Sequence, residues 1–162
     1  MEQIDNFLKT EDLKDLKDVI LDATFPWALN HGVSYPDDGH IQFTHTIYRD
    51  DEFKSTFTLG GLDIFKEKLG IVSLVRAKLN LLPRADKIIE HQAHIDIPNP
   101  PNNLKTAILY LNTNNGYTKF ESGEKITSVE NKLIIFNAKE KHSGTTNSCE
   151  QPYRVVLNLN YF

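Results

Sequence analysis

YRVVLNLNYF, residues 153–162, reads as one strand with two unlike faces. Successive side chains of a strand point to opposite sides. Val155, Leu157, Leu159 and Tyr161 therefore share an apolar face, and Arg154, Val156, Asn158 and Asn160 share the other. A strand with a core on one side and a polar cavity on the other carries this pattern. Its apolar neighbours place Arg154 in a central strand, where a charge is costly unless it is matched. A solvated strand charge is the competing reading.

Further strands are expected at 41–48, 71–82, 88–97, 104–112, 117–121, 125–129 and 132–138, before the last at 153–161. Asn99-Pro100-Pro101, Asn114-Asn115-Gly116, Ser122-Gly123 and Ser143-Gly144 supply turn signals. Near the N-terminus, Ile4 to Leu8 is a short strand or lead-in. Thr10 is then the expected N-cap of a helix, with Glu11 and Asp12 in the first turn, where the helix dipole favours anions. Leu13, Leu16, Val19 and Ile20 follow at helical spacing, and Pro26 ends the pattern. A second helix is expected over Leu62 to Leu69, after Gly60-Gly61 and stopping near Gly70. Roughly eight short strands behind these helices predict a mainly β fold. The expected architecture is a double-stranded β-helix (jelly roll) with N-terminal helices packed on one sheet. We expect one domain over 1–162, with 1–70 giving helical support and entrance loops and 71–162 the jelly-roll core.

The chain of 162 residues is 40% hydrophobic and 25% charged, an ordinary globular composition. No stretch approaches the roughly 20 apolar residues of a membrane span. The start, MEQIDNFLKTEDLKDLKD, is acidic and amphipathic, unlike a signal peptide. Cys149 is the single cysteine, so neither an intrachain disulfide nor a thiolate metal cluster can form, and a cytoplasmic location is expected. A net charge of −4 argues against a dedicated nucleic-acid binder.

The stretch HQAHIDIPNP, residues 91–100, starts a candidate site. In a strand, His94 and Asp96 share a face while His91 points elsewhere. A surface pair on an edge strand is the plain alternative. His142, in NAKEKHSG, follows the apolar run Leu133–Phe136, and a jelly roll brings distant strands onto one cavity wall. Two imidazoles and one carboxylate would occupy one face of a metal and leave the rest open, which suits non-heme Fe(II). Arg154 comes 12 residues after His142, and its guanidinium can clamp a carboxylate in bidentate fashion. His31, His40 and His45 are read as structural or at most substrate-facing, and Trp27 as a core anchor.

His94-x-Asp96, His142 and Arg154, in that order, resemble the signature of the Fe(II)/2-oxoglutarate-dependent dioxygenases. HIDIPNP, TAILYLN, GYTKF, LIIFNAKEKHSG and YRVVLNLNYF resemble the prolyl 4-hydroxylase-like branch over about residues 90–162. RAKLNLLPRADKIIEHQAHID is similar to compact bacteriophage and bacterial members. The resemblance implies that His94, Asp96 and His142 hold Fe(II) and that 2-oxoglutarate and O2 are co-substrates. It also implies that Arg154, joined by Tyr110, holds the 2-oxoglutarate tail, with Asn80 bonding it from the adjacent strand. For Tyr110 a core aromatic, and for Asn80 a strand-end cap, are the alternatives. The implied reaction is hydroxylation, with a prolyl residue of a peptide or protein as the leading substrate and no membrane or nucleic-acid partner. Acidic clusters between Leu29 and Leu59 would suit a basic peptide. A catalytically silent jelly-roll binding module and a cupin-like metalloprotein are the rival readings, and the chain lacks the H-x-H of cupins.

Overall fold

The computed structural model describes residues 1–56 and 62–162. In chain order these form β1 (Glu2–Ile4), α1 (Thr10–Ile20), β2 (Ala28–His31), β3 (Ile41–Arg49), β4 (Glu52–Phe53) and α2 (Leu62–Leu69). There follow β5 (Leu74–Pro83), β6 (Lys105–Tyr110), β7 (Tyr117–Phe120), β8 (Lys125–Thr127), β9 (Leu133–Asn137), β10 (His142–Gly144) and β11 (Tyr153–Tyr161). The expected second helix, Leu62 to Leu69, is α2, and Gly60-Gly61 before it lie outside the described residues.

Among the described residues the strands make two antiparallel sheets. The larger runs β1-β9-β6-β11-β5-β3-β2 with β4 beside β3, and the smaller runs β10-β7-β8. β11 lies between β6 and β5, pairing Val156 with Tyr110 on one side and with Asn80 on the other. Its two faces divide as the alternation requires. Val155, Leu157, Leu159 and Tyr161 join a core with Leu13, Leu16 and Ile20 of α1 and Leu62 and Phe65 of α2. Val156 faces the smaller sheet in a second core with Ile108, Tyr110, Ile134, Phe136, Phe120 and Ile126. The helices thus cover one face of the large sheet, and the small sheet covers part of the other.

Several local expectations differ from the structure. Lys9, extended and without a side-chain cap bond, is the N-cap of α1, and Thr10 is already helical. Glu11 and Asp12 in the first turn still complement the dipole there. The helix ends at Ile20, ahead of Pro26, where Asp22 Oδ1 accepts the Thr24 amide at 2.8 Å in a side-chain turn. Finally, 88–97 is not a strand. It follows β10 through two isolated bridges, Glu90 to Thr145 and His94 to His142, before Pro98, Pro100 and Pro101 rule out a ladder.

Asn131, at φ 64°, clasps the N-terminal segment: Leu8 N donates to its Oδ1 and its Nδ2 donates to Leu8 O, both at 2.8 Å. This fixes the chain between β1 and α1 onto the large sheet.

Leu157 is fully buried at the centre of β11. Leu157→Ala should destabilise the protein by about 2–5 kcal/mol, with α1 and α2 loosening from the sheet. Val72→Ala, at a side chain 90% exposed, should leave the urea midpoint nearly unchanged.

Candidate metal centre

The cavity floor is the polar face of the β5–β11 ladder. Cross-strand rungs run Leu82–Arg154, Asn80–Val156, Lys78–Asn158 and Arg76–Asn160. All but Asn160 of these residues line a cavity of about 220 Å³, whose walls include His94, Asp96, His142 and Thr118. The sequence-predicted His94, Asp96, His142, Arg154 and Asn80 therefore share one chamber.

At one end the ligand atoms of His94, Asp96 and His142 lie within 4.8 Å of one another. His94 Nε2 is 3.8 Å from Asp96 Oδ1, and His142 Nε2 is 4.0 Å from Asp96 Oδ2. These separations are too long for hydrogen bonds. They suit donors that share one ion at about 2.1 Å each. Each imidazole has its other nitrogen fixed: His94 Nδ1 donates to Gln92 O and His142 Nδ1 to Glu140 O, both at 3.2 Å. A carbonyl oxygen only accepts, so the proton sits on Nδ1 and the Nε2 lone pair faces the carboxylate. Burial pushes the His142 imidazole down, toward the neutral form a metal requires. Burial opposes the charge on Asp96, but the Arg76 guanidinium beside it outweighs burial and holds the carboxyl well below its usual range.

Arg76 was not singled out in the sequence. Its Nη2 pairs with Asp96 Oδ1 at 2.8 Å, and its Nη1 donates to the Asp96 carbonyl at 3.4 Å. Its Nε donates to Asn160 Oδ1 at 2.9 Å, and Asn160 Nδ2 reaches Thr106 Oγ1 at 2.9 Å. The carboxylate is thereby held from two strands, although Asp96 itself lies in a bend. The strand parity assigned to 88–97 failed as structure, yet His94 and Asp96 still converge.

At the other end Arg154, 3% exposed, has no carboxylate partner among the described residues. Its Nε donates to Ser128 Oγ at 2.7 Å and its Nη2 to Thr118 Oγ1 at 3.1 Å. Tyr110 Oη also donates to Thr118 Oγ1, at 2.9 Å. At the cavity wall the Thr118 hydroxyl thus links Tyr110 to Arg154. Tyr110 itself is fully buried beneath the guanidinium, with ring centroid and Cζ 5.5 Å apart, and belongs to the inter-sheet core. It stands behind Thr118 rather than on the cavity wall. Gly116 gives the arginine room: a Cβ there would come within 2.8 Å of Arg154 Cδ and of Thr146 O.

The mouth is formed partly by the loop 32–40, where Val33 and Ser34 line the cavity. Asp38 Oδ2 accepts the amides of Val33, Ser34 and Tyr35, and its Oδ1 accepts that of His40. Ser34 Oγ donates to Gln92 O at 2.7 Å and Tyr35 Oη to Ala93 O at 3.3 Å, tying the loop to the segment that carries His94. Of the remaining histidines, His45 bonds Pro26 O and Ser55 Oγ, a structural role. His91 is buried against the ring of His40 at 4.8 Å. Trp27 donates to Ile20 O at 3.0 Å and packs on the helix-side core as an anchor.

No protein-family model and no curated protein matches the chain. Solved structures do. An oxidoreductase of the 2OG-Fe(II) oxygenase family from Burkholderia pseudomallei superposes with a TM-score of 0.71 at 15% identity, over 98% of this chain and 83% of that one. A prolyl hydroxylase from Trichoplax adhaerens, in complex with a hypoxia inducible factor peptide fragment, gives 0.72 at 16%, over 99% and 82%. The non-heme alpha ketoglutarate dependent epimerase SnoN from nogalamycin biosynthesis gives 0.66 at 13%, over 99% and 76%. The chain thus has the fold of the 2OG-Fe(II) oxygenases and prolyl hydroxylases. That fold carries more than one reaction.

Burial opposes the charge on Asp38, but its four amide donors prevail and lower the carboxyl to about 2. Because the folded value lies below the ordinary aspartate value of 3.8, the loop gains stability above that value and loses it as pH falls through about 2. Amide shifts of Val33, Ser34 and His40 should titrate together with a midpoint near 2, and Asp38→Ala should abolish that step and disorder the loop at neutral pH.

Proposed function

We propose that this chain is an Fe(II)- and 2-oxoglutarate-dependent dioxygenase built on a double-stranded β-helix. The observation that carries the reading is a pair of complementary ends in one cavity. A two-histidine, one-carboxylate cluster lies at one end, and a buried guanidinium without an anion lies at the other. An unmatched buried cation is costly, and a ligand carboxylate removes that cost.

His94, Asp96 and His142 would hold the iron, with Arg76 fixing the carboxylate and the backbone carbonyls of Gln92 and Glu140 fixing the imidazoles. Arg154 would receive the distal carboxylate of 2-oxoglutarate through its fork, Thr118 would add a hydroxyl donor, and Tyr110 would hold that hydroxyl in place. Asn80 faces the same space and would bond the co-substrate from β5. When bound, Fe(II) supplies the redox chemistry by which O2 and 2-oxoglutarate give succinate, CO2 and a hydroxylated substrate. The residues around it position the reactants and exclude water. A prolyl residue of a peptide is the substrate class suggested by the resemblance in the sequence. The fold likeness leaves the substrate open, because it accommodates an epimerase as well. A cytoplasmic setting, with no nucleic-acid or membrane partner, accords with one cysteine and a net charge of −4. No helix among the described residues is long and apolar enough to cross a membrane.

Two measurements on anaerobic protein test the assignment. In Mn(II) titrations Asp96→Ala should abolish tight binding, and Arg76→Gln should weaken it roughly 10- to 100-fold by freeing the carboxylate. In 2-oxoglutarate titrations of the Mn(II)-loaded protein, Arg154→Lys should weaken affinity roughly 10- to 100-fold with metal binding intact. Tyr110→Phe should give a smaller loss in the same direction. A parent protein that binds Mn(II) but not 2-oxoglutarate would leave a cupin-like metalloprotein. One that binds both yet yields no succinate with Fe(II), O2 and candidate substrates would be a silent binding module.

A further inference from the structure

One rung of the cavity floor has no role in the oxygenase reading. Lys78 of β5 stands opposite Asn158 of β11, and both line the cavity. Of the three basic residues on that lining, Arg76 is paired with Asp96, and Arg154 is assigned to the distal carboxylate of 2-oxoglutarate. Lys78 is half-buried and has no ion-pair or hydrogen-bond partner among the described residues. Across the rung, Asn158 Oδ1 is buried and accepts no hydrogen bond. An unmet cation and an unmet acceptor thus face the same space, in a cavity whose only carboxylate among the described residues is Asp96.

We propose that Lys78 and Asn158 form a subsite for an anionic group of the substrate, a carboxylate or phosphate paired with Lys78 Nζ beside an N–H or O–H donor that reaches Asn158 Oδ1. The substrate of the oxygenase is then acidic, and this assignment rests on the oxygenase reading for what happens to it. Charge favours a third anion in the chamber. A divalent ion with Arg76 and Arg154 already outweighs Asp96 and a dianionic co-substrate, and Lys78 adds to the excess. Burial, together with the charge of Arg76, pushes the Lys78 ammonium down to about 8, a cost that a neighbouring anion reverses. In the loop at the mouth, Asp38 is engaged by four amides of its own loop, and Asp37 beside it is exposed.

The test uses anaerobic, Mn(II)-loaded full-length protein saturated with 2-oxoglutarate, and inorganic phosphate as the probe. Phosphorus relaxation by the bound Mn(II) reports an anion held near the metal. The parent should give a saturable enhancement, Lys78→Met should weaken phosphate binding roughly tenfold or more, and Lys78→Arg should retain it. Mn(II) affinity must match the parent in both variants, which shows that they are folded. Equal phosphate relaxation in the parent and Lys78→Met would overturn the subsite, since the phosphate would then sit on the metal or elsewhere. A loss of 2-oxoglutarate affinity in Lys78→Met as large as that in Arg154→Lys would also overturn it, by assigning Lys78 to the co-substrate. Failure of the parent to bind 2-oxoglutarate would sink the oxygenase reading separately, and the same phosphate comparison on the Mn(II) protein would then decide the subsite on its own.

Discussion

A slip of β11 by one residue against β5 would turn Arg154, Asn158 and Asn160 into the helix-packed core and Leu157 and Leu159 into the cavity. Neither face tolerates the exchange, so burial on the helix side and charge on the cavity side enforce the same register. That register sets the order of chemistry along the floor, from the Arg154 rung through Asn80 and Lys78 to the Arg76–Asn160 rung that grips Asp96. The apolar face does not only support the site. It measures out the distance between the two ends.

The cavity concentrates charges that would be unfavourable one at a time. Asp96 is stable there because Arg76 meets it at 2.8 Å. Breaking such a pair leaves an uncompensated buried charge, typically costing about 3–5 kcal/mol. Arg154 has only neutral oxygens and an aromatic ring for company. The site is therefore balanced at the Asp96 end and unbalanced at the Arg154 end.

The elements legible in the sequence were those whose signal is local. The alternation in 153–161 and the apolar run at 133–136 fall on β11 and β9, and the helical spacing at 10–20 falls on α1. The segment 88–97 misled because a two-residue alternation of polar side chains imitates a strand, while its neighbour β10 is too short to extend a ladder. Ser143-Gly144 read as a turn, yet these residues lie in β10. Gly144 has no positive φ and pairs with Thr118 of β7, so it continues a strand where the sequence signalled a turn. Arg76 and Lys78 share the parity of Asn80, whose place in the site was implied by the resemblance alone. No pattern within β5 separates an arginine facing a carboxylate from one facing water, and that distinction needs Asp96 in place.

The carbonyl oxygen of Gln92 accepts two hydrogen bonds, one from Ser34 Oγ in the loop at the mouth and one from His94 Nδ1. The loop at the mouth and the imidazole thus hang from a single atom, so the placement of one constrains the aim of the other.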